Sequence, residues 1–370
     1  MIKKITKITA LVLASILILI ILLLGGYLIY ISAQYYRIED NLNLTINNNN
    51  SNTINLQTQY SVTTYNIGFG AYNHDFSFFL DSGKMKSGKE VVGKNSTAKN
   101  KQVVLDNTNG VINISKQLNS DFYLFQEVDI NGTRSHHINQ FEMLNSIGNF
   151  TSTYAENFHS AFLLYPFNDF HGKNQAGLVT FSKYGIASST RVSYPIDNSF
   201  PNKYFDLDRC FSINRINING STKQLVIINS HMSAYDEGGK IRKQQLSKLN
   251  EILTMEYNKG NYVIAGGDFN HDIANSLNLF KTEQEVPNWV FQLNNSDLPN
   301  HFSFASATDD ATCRSTDIPY TKNVNYTVVI DGFVVSDNVT VNKVTNLVNG
   351  TSANFNFSDH NPSTLTFTLN

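Results

Sequence analysis

From Ile8 to Ser32 the chain carries no charged residue, and the run ITALVLASILILIILLLGGYLIYIS is long enough to cross a bilayer as one helix. Lys3, Lys4 and Lys7 precede it, while Arg37, Glu39 and Asp40 follow. The positive-inside bias therefore makes residues 1–7 a cytoplasmic basic stub and 8–32 a transmembrane signal-anchor, with the remainder outside the cell. Cleavage at Ser32-Ala33 would give a secreted protein instead, but the run exceeds the about 7–15 apolar residues of a signal peptide. Asparagine, Thr and Ser dominate the next stretch, so residues 33–59 read as a flexible Asn-rich linker.

From Tyr60 onward, short runs rich in Val, Ile, Tyr and Phe alternate with helical patterns. Strands are predicted at Ser61–Asn66, Asp121–Val128, Gly177–Phe181, Arg209–Ile218, Gln224–Ser230, Tyr262–Gly266, Tyr326–Val335 and Thr364–Thr368. One helix is expected over Lys101–Leu118, with Val104, Val111, Ile114 and Leu118 on one face and a kink or break at Asn109-Gly110. A second runs from about Gly239 to Tyr257, with Ile241, Leu249, Ile252 and Leu253 inward. The segments 70–100 and 297–322 are long and irregular, and such loops tend to carry function. The pattern is that of an α/β domain over residues 60–370.

Charge changes the picture only by exclusion. Removing the three leading lysines from 28 Lys and Arg leaves 25 against 30 Asp and Glu, so there is no basic footprint for tight nucleic-acid binding. The two cysteines, Cys210 and Cys313, are too few for a disulfide framework and have no clustered zinc-ligand partners. Pairing between them is not expected.

The candidate chemistry lies at the ends of apolar strands: Asn66 in TYNIG, Gln126-Glu127 in FQEVD, His231 in NSHMS, Asp268 and Asn270 in GGDFN, Asp331 in VIDGF, and Asp359-His360 in SDHNP. Any one of them alone reads as a turn residue. Together they supply oxygen ligands for a hard divalent cation, a base for water and a proton for a leaving oxygen, which is what hydrolysis of a phosphate ester needs. Arg134 and Arg314, with Tyr320, are charged or polar residues near these segments that could reach a substrate phosphate, although a surface salt bridge explains Arg134 equally well. His136, His137, His159, His171, His271 and His301 lack metal-ligand spacing and read as exposed or loop histidines.

The order QEVD, GDFN, SDHNP, with GLVTFSKYGI and NSHMSAYD between, resembles the endonuclease/exonuclease/phosphatase superfamily, in its deoxyribonuclease and sphingomyelinase branches. The resemblance implies a four-layer sandwich of two mixed β-sheets flanked by helices, here preceded by the transmembrane helix. It also implies Mg²⁺ as cofactor, with Mn²⁺ or Ca²⁺ as substitutes, held by Glu127, Asn66 and Asp359. Asp268 and Asn270 would orient the attacking water and the phosphate. His360, oriented by Asp331, would serve as acid or base, and His231 would assist the leaving oxygen. Asn66, Asn270, Arg134 and Arg314 form the expected substrate-binding set.

The expected activity is hydrolysis of a phosphodiester at the cell surface, first of extracellular DNA or RNA, with a sphingomyelinase-like or phospholipase C-like lipid substrate as the alternative. A lipid enzyme should show an exposed aromatic hairpin; AFLLYPFNDF at Ala161–Phe170 could provide one, but its pattern reads as a buried strand. A catalytically dead surface binding protein is the remaining class, and the completeness of the polar set argues against it. No protein partner is implied.

Overall fold

The computed structural model describes residues 2–234 and 240–370. Two seven-stranded sheets stack face to face, and each holds one βαβ unit. In the first sheet the order is β1 (Leu42–Asn43), β9 (Ile186–Ser193), β10 (Cys210–Asn217), β11 (Gln224–His231), β12 (Tyr262–Asp268), β16 (Asp331–Ser336) and β13 (Phe302–Ala305). In the second it is β17 (Val339–Thr345), β18 (Ser363–Leu369), β3 (Gln59–Asn66), β6 (Phe122–Gly132), β8 (Asn174–Ser182), β7 (Thr151–His159) and β2 (Ile46–Asn47). Among the described residues, only β11–β12 and β3–β6 are parallel strand pairs in these sheets. A parallel pair needs a crossover, and here each crossover is a helix: α2 (Lys101–Leu118) joins β3 to β6, and α4 (Lys240–Asn258) joins β11 to β12, while the short α3 (Gln140–Leu144) follows β6.

Each helix buries its apolar stripe on the outer face of its own sheet. In α2, Val111 and Ile114 pack on Tyr65, Tyr123 and Phe125, while in α4 Leu246, Leu249 and Leu253 pack on Val226, Ile228 and Val263. Between the sheets Val62, Leu124, Ile227, Ile264, Phe333 and Leu365 close the central layer. The result is the expected helix–sheet–sheet–helix sandwich.

The α2 helix is continuous through Asn109-Gly110. Asn100 caps its start by accepting the Val103 N–H, and the ring of Phe357 lies where a side chain at Gly110 would stand, so the glycine serves close packing instead of a break. The predicted Tyr326–Val335 strand divides into β15 (Thr327–Val328), paired with β14 (Cys313–Arg314), and β16. A further small hairpin, β4 (Ser82–Lys84) with β5 (Glu90–Val92), orders part of the long 70–100 loop. The expected start of α4 at Gly239 and the end of the NSHMSAYD segment lie outside the described residues.

Residues 33–59 differ from the flexible linker the composition suggests. Within them β1 pairs with β9 and β2 with β7, and Ile54, fully buried, bridges to Ile218. The asparagines supply side-chain bonds to backbone: Asn49 donates to the Ile186 carbonyl and Asn50 to that of Lys183. At the front, α1 (Ile2–Gln34) is long and apolar enough to cross a membrane over Ile5–Gln34. Cys210 and Cys313 are both buried free thiols.

Candidate active site

Strand register assembles the site. In the first sheet His231 stands beside Asp268 across the parallel pair, and Asp268 beside Asp331 across the next, antiparallel one. An imidazole and two carboxylates thus sit side by side at one sheet end. This tight register needs Gly267: a Cβ there would overlap the carbonyl oxygen of Ser230, its partner on β11. In the second sheet Asn66, the last residue of β3, pairs with Gln126 midway along β6. Immediately after, β6 bulges between Phe125 and Val128, and Glu127 takes a left-handed backbone (φ 56°). The bulge turns a carboxylate into the cavity while Gln126, fully buried, ties the sheets together by donating to Asn229 at 2.8 Å. Asp359 and His360 come from the SDHNP turn before β18.

Glu127, His231, Asp268, Asn270, Asp359 and His360 line one cavity of ≈ 530 Å³. Asp268 is held at both oxygens: Oδ2 accepts from Asn66 Nδ2 at 3.0 Å, and Oδ1 accepts the Asn270 N–H at 2.8 Å. Its Oδ2 lies 3.6 Å from His231 Nε2 and 3.7 Å from His360 Nε2. Asn270 is fixed by donating to the Met232 carbonyl at 2.7 Å. His360 Nδ1 meets Asp331 Oδ2 at 2.8 Å. Burial disfavours its charge, yet Asp331 and Asp268 outweigh that and hold the imidazole well above its ordinary value, so it stays protonated at neutral pH. Burial in turn pushes Asp331 up to about 6, against the attraction of His360.

The two histidines are therefore in different states. Burial, then Arg209 and His360, hold His231 well below its ordinary value. A neutral His231 accepts at Nε2 from Arg209 Nη1, 2.5 Å away, and Nε2 is 3.7 Å from Glu127. The sequence offers Arg209 only as the first residue of a strand, and the structure brings it into the site. It is buried, lines the cavity, and its Nε has no hydrogen-bond partner among the described residues, which leaves a donor for a ligand oxygen. A lone arginine directly before an apolar strand is the one sequence signal, and it is a weak one.

Glu127 and Asp359 form a second electrostatic pair. Burial first and Asp359 second push the Glu127 carboxyl up to about 8, despite His360, Arg134 and Arg209. Burial likewise raises Asp359. Two half-buried carboxylates, in which Asp359 opposes the charge of Glu127 and only oxygen donors are offered, suit a hard divalent cation. Asp268, Asp331 and His360 also bring ligand atoms within 4.8 Å of one another and could hold an ion. His360 Nδ1, however, is already bonded to Asp331, and an orienting carboxylate–imidazole pair explains that trio without an ion. Asn66, whose amide is bonded to Asp268 and to the Gly68 N–H, stands as a positioning neighbour.

The other anticipated residues fall differently. Arg134 lines the cavity but is no surface salt bridge: it is buried, bonds Asp129 through Nε at 3.1 Å and Nη2 at 2.8 Å, and lies 3.2 Å over the Phe69 ring. Arg314 is buried too and donates to the carbonyls of Ser315, Ile318, Asn73 and Phe76, stapling the 70–100 loop to the sandwich. Tyr320 packs edge-on to Phe355 and does not line the cavity. His171 is a buried wall residue bonded to Ser96 and pushed down to about 3, chiefly by burial. His136, His159 and His271 each bond a backbone carbonyl, His137 an asparagine and His301 Asp337.

AFLLYPFNDF is not the buried strand its pattern suggested. It is a loop closed by a Leu163–Gly172 bridge, with Tyr165, Phe167 and Phe170 exposed at 59%, 78% and 41%.

A sequence profile described as the Endonuclease/Exonuclease/phosphatase family matches residues 63–360. No curated protein sequence matches significantly. Among solved structures, an endonuclease/exonuclease/phosphatase from Beutenbergia cavernae DSM 12333 is similar at 14% identity and TM-score 0.56, covering 85% of this chain and 72% of that one. ANGEL2, described as a 2′,3′-cyclic phosphatase and bound to adenosine-2′,3′-vanadate, is similar at 15% identity and TM-score 0.51, over 89% of this chain and 99% of its own. At these identities the likeness speaks for the fold.

Proposed function

The chain belongs to the endonuclease/exonuclease/phosphatase family, whose members hydrolyse phosphoester bonds, and from that premise we propose that it is a membrane-anchored, divalent-cation-dependent phosphodiesterase. The observation that carries this is the single cavity onto which His231, Asp268 and His360 from one constellation converge with Glu127 and Asp359 from the other. Glu127 and Asp359 would hold the cation, which when bound withdraws charge from the phosphoryl oxygens.

The chain's own groups do the rest. Asp268, locked by Asn66 and Asn270, is placed to take the proton of the attacking water. Protonated His360, oriented by Asp331, offers an N–H to a phosphoryl or leaving oxygen that gains charge in the transition state. Arg209, braced on neutral His231, offers a guanidinium to the remaining oxygens.

The apolar anchor, with lysines on one side, supports placement of the domain outside the membrane. The expectation of a nuclease has less support. Arg134 is committed to Asp129 and Arg314 to backbone carbonyls, so neither is free to track a polyanion.

The test is hydrolysis of bis-p-nitrophenyl phosphate by the purified full chain, with Mg²⁺ and with chelator. Chelator-sensitive turnover that His360→Ala reduces at least about a hundredfold is expected. Turnover untouched by chelator, or by that substitution, would defeat the proposal.

A further inference from the structure

The membrane helix does not hang from the domain by a free tether. Tyr27 Oη donates to the Phe162 carbonyl at 3.2 Å and accepts the Leu164 N–H at 3.3 Å, and Tyr30 Oη accepts the Phe162 N–H at 3.1 Å. Ser32 Oγ bonds Tyr204 Oη at 2.9 Å, Tyr36 stacks on His159, and Arg37 pairs with Asp208 at 2.8 Å. The outer end of α1 is thus fastened to two loops, 160–172 and 198–208.

Those same loops form the lip of the catalytic cavity, which Leu163, Tyr165, Phe205 and Leu207 line. They also carry exposed rings: Phe167 and Phe170 in the first loop, Phe200 and Phe205 in the second, the last two at 65% and 46%. Leu80, 59% exposed, lines the cavity with its neighbour Phe79. A soluble surface rarely gathers so many apolar side chains around an opening.

Height along the helix decides what covers them. At about 1.5 Å per residue, Tyr27 lies about 28 Å beyond Ile8, close to the full thickness of the hydrocarbon core. Tyr27 and Tyr30 therefore sit at the membrane–water boundary, where tyrosine is favoured. On that span the backbone of residues 162–164, bonded to their hydroxyls, would lie at headgroup level.

We infer that the outer end of α1 and these aromatic loops form one membrane-facing surface, which opens the catalytic cavity onto the leaflet so that its substrate is a bilayer lipid with a phosphodiester headgroup. The inference rests on the phosphodiesterase reading above. Phenylalanine walls would receive the apolar portion of the lipid, and the phosphate would reach the carboxylate and histidine floor. In the reaction a water oxygen bonds to phosphorus and one P–O ester bond breaks. The departing alcohol takes up a proton as the water gives one up, leaving a phosphomonoester.

The test uses the full chain reconstituted in phosphatidylcholine vesicles with Mg²⁺, and two readouts. In Phe167→Cys carrying an environment-sensitive fluorophore, with both native cysteines buried, lipids spin-labelled near the headgroup should quench emission at least about twofold. Separately, the rate on bilayer phosphatidylcholine, sphingomyelin or phosphatidylglycerol is compared with that on bis-p-nitrophenyl phosphate. The ratio should fall at least about tenfold in Phe167→Ser/Phe170→Ser, because the rim no longer enters the interface.

An unquenched label overturns the inference whatever the activity. So does a label shielded in detergent in proportion to protein concentration, which would mean that a second copy covers the rings. Quenching with cleavage of the soluble diester or of DNA but of no bilayer lipid overturns the substrate assignment. Quenching with no metal-dependent turnover of any substrate refutes the phosphodiesterase reading, and with it the lipid substrate, while leaving the membrane-facing surface upheld.

Discussion

Replacing Glu127 by glutamine should make the metal-free protein more stable while destroying its activity. Burial and Asp359 push the Glu127 carboxyl up to about 8 from an ordinary 4.5. In the unfolded chain it ionises near the ordinary value, so between the two values folding must retain a proton on it. The cost grows as pH rises: it is absent below about 4.5, increases across the interval and levels off above about 8. At pH 7, about 1.36 kcal/mol per pH unit over the interval from 4.5 gives about 3 kcal/mol. The side chain keeps 15% of its surface exposed, which lowers the useful figure to about 1–3 kcal/mol. Glutamine fills the same volume without the charge, so with chelator the variant should melt several degrees above the wild type at pH 7.5, and the gap should shrink toward zero at pH 5. Mg²⁺ should raise the wild-type melting temperature and leave the variant's nearly unchanged, while turnover drops at least about a hundredfold. A variant that melts at or below the wild type at every pH in chelator would refute the reasoning that Glu127 is an electrostatically strained ligand.

Because Glu127 must lose a proton to bind a cation, the apparent affinity for Mg²⁺, measured by isothermal titration, should tighten as pH rises from 6 to 8 and plateau beyond. Asp331→Asn removes the main attraction that raises His360, so the alkaline limb of the pH–rate profile should move to lower pH and the rate should fall about a hundredfold or more. Arg134→Lys cannot keep the bidentate bond to Asp129, and urea unfolding should show a loss of about 3 kcal/mol or more with KM changed little. Gly110→Ala should destabilise the domain by about 1–3 kcal/mol despite alanine's better helix propensity, since its methyl meets the Phe357 ring; an unchanged urea midpoint would show that the ring yields freely.

The strands that carry the chemistry were legible because their inner faces are apolar and their polar residues stop abruptly at one end, as in β3, β6, β11 and β12. The strands β7, β9 and β17 escaped notice because TSTYAENFH, IASSTRVS and VTVNKVT replace aliphatic side chains with hydroxyls and amides. Part of the space between the sheets is filled by a hydrogen-bonded polar layer, in which Asn214 accepts from Thr153 and Ser189 and Asn229 donates to two carbonyls of the facing sheet. Hydropathy cannot register such a layer. The same blindness made the asparagines of residues 33–59 look like spacer, since their amides bond to backbone across a distance in sequence that composition does not encode. The bulge that aims Glu127 and the seat of Arg209 beside His231 are likewise tertiary facts, set by strand pairing and not by any local pattern.

The placement of anchor and chemistry follows from the architecture. In both βαβ units the parallel strands must end at the same side of the sandwich, because each helix returns the chain to the opposite side before the next strand begins. Asn66, Glu127, His231 and Asp268 therefore emerge together, and the loops that border them share that side. One of those loops, 160–172, precedes β8, and another, 198–208, precedes β10; both extend past the carboxylates to the anchor's outer end. Catalytic geometry is consequently fixed by strand register, down to the missing side chain at Gly267, whereas the lip is free to change in sequence. A slip of one residue in β12 would turn Asp268 to the opposite face and abolish the site, while substitutions at Phe167 or Phe200 touch neither sheet. The separation leaves the polar groups to the sheets and the shape of the cavity's mouth to the loops.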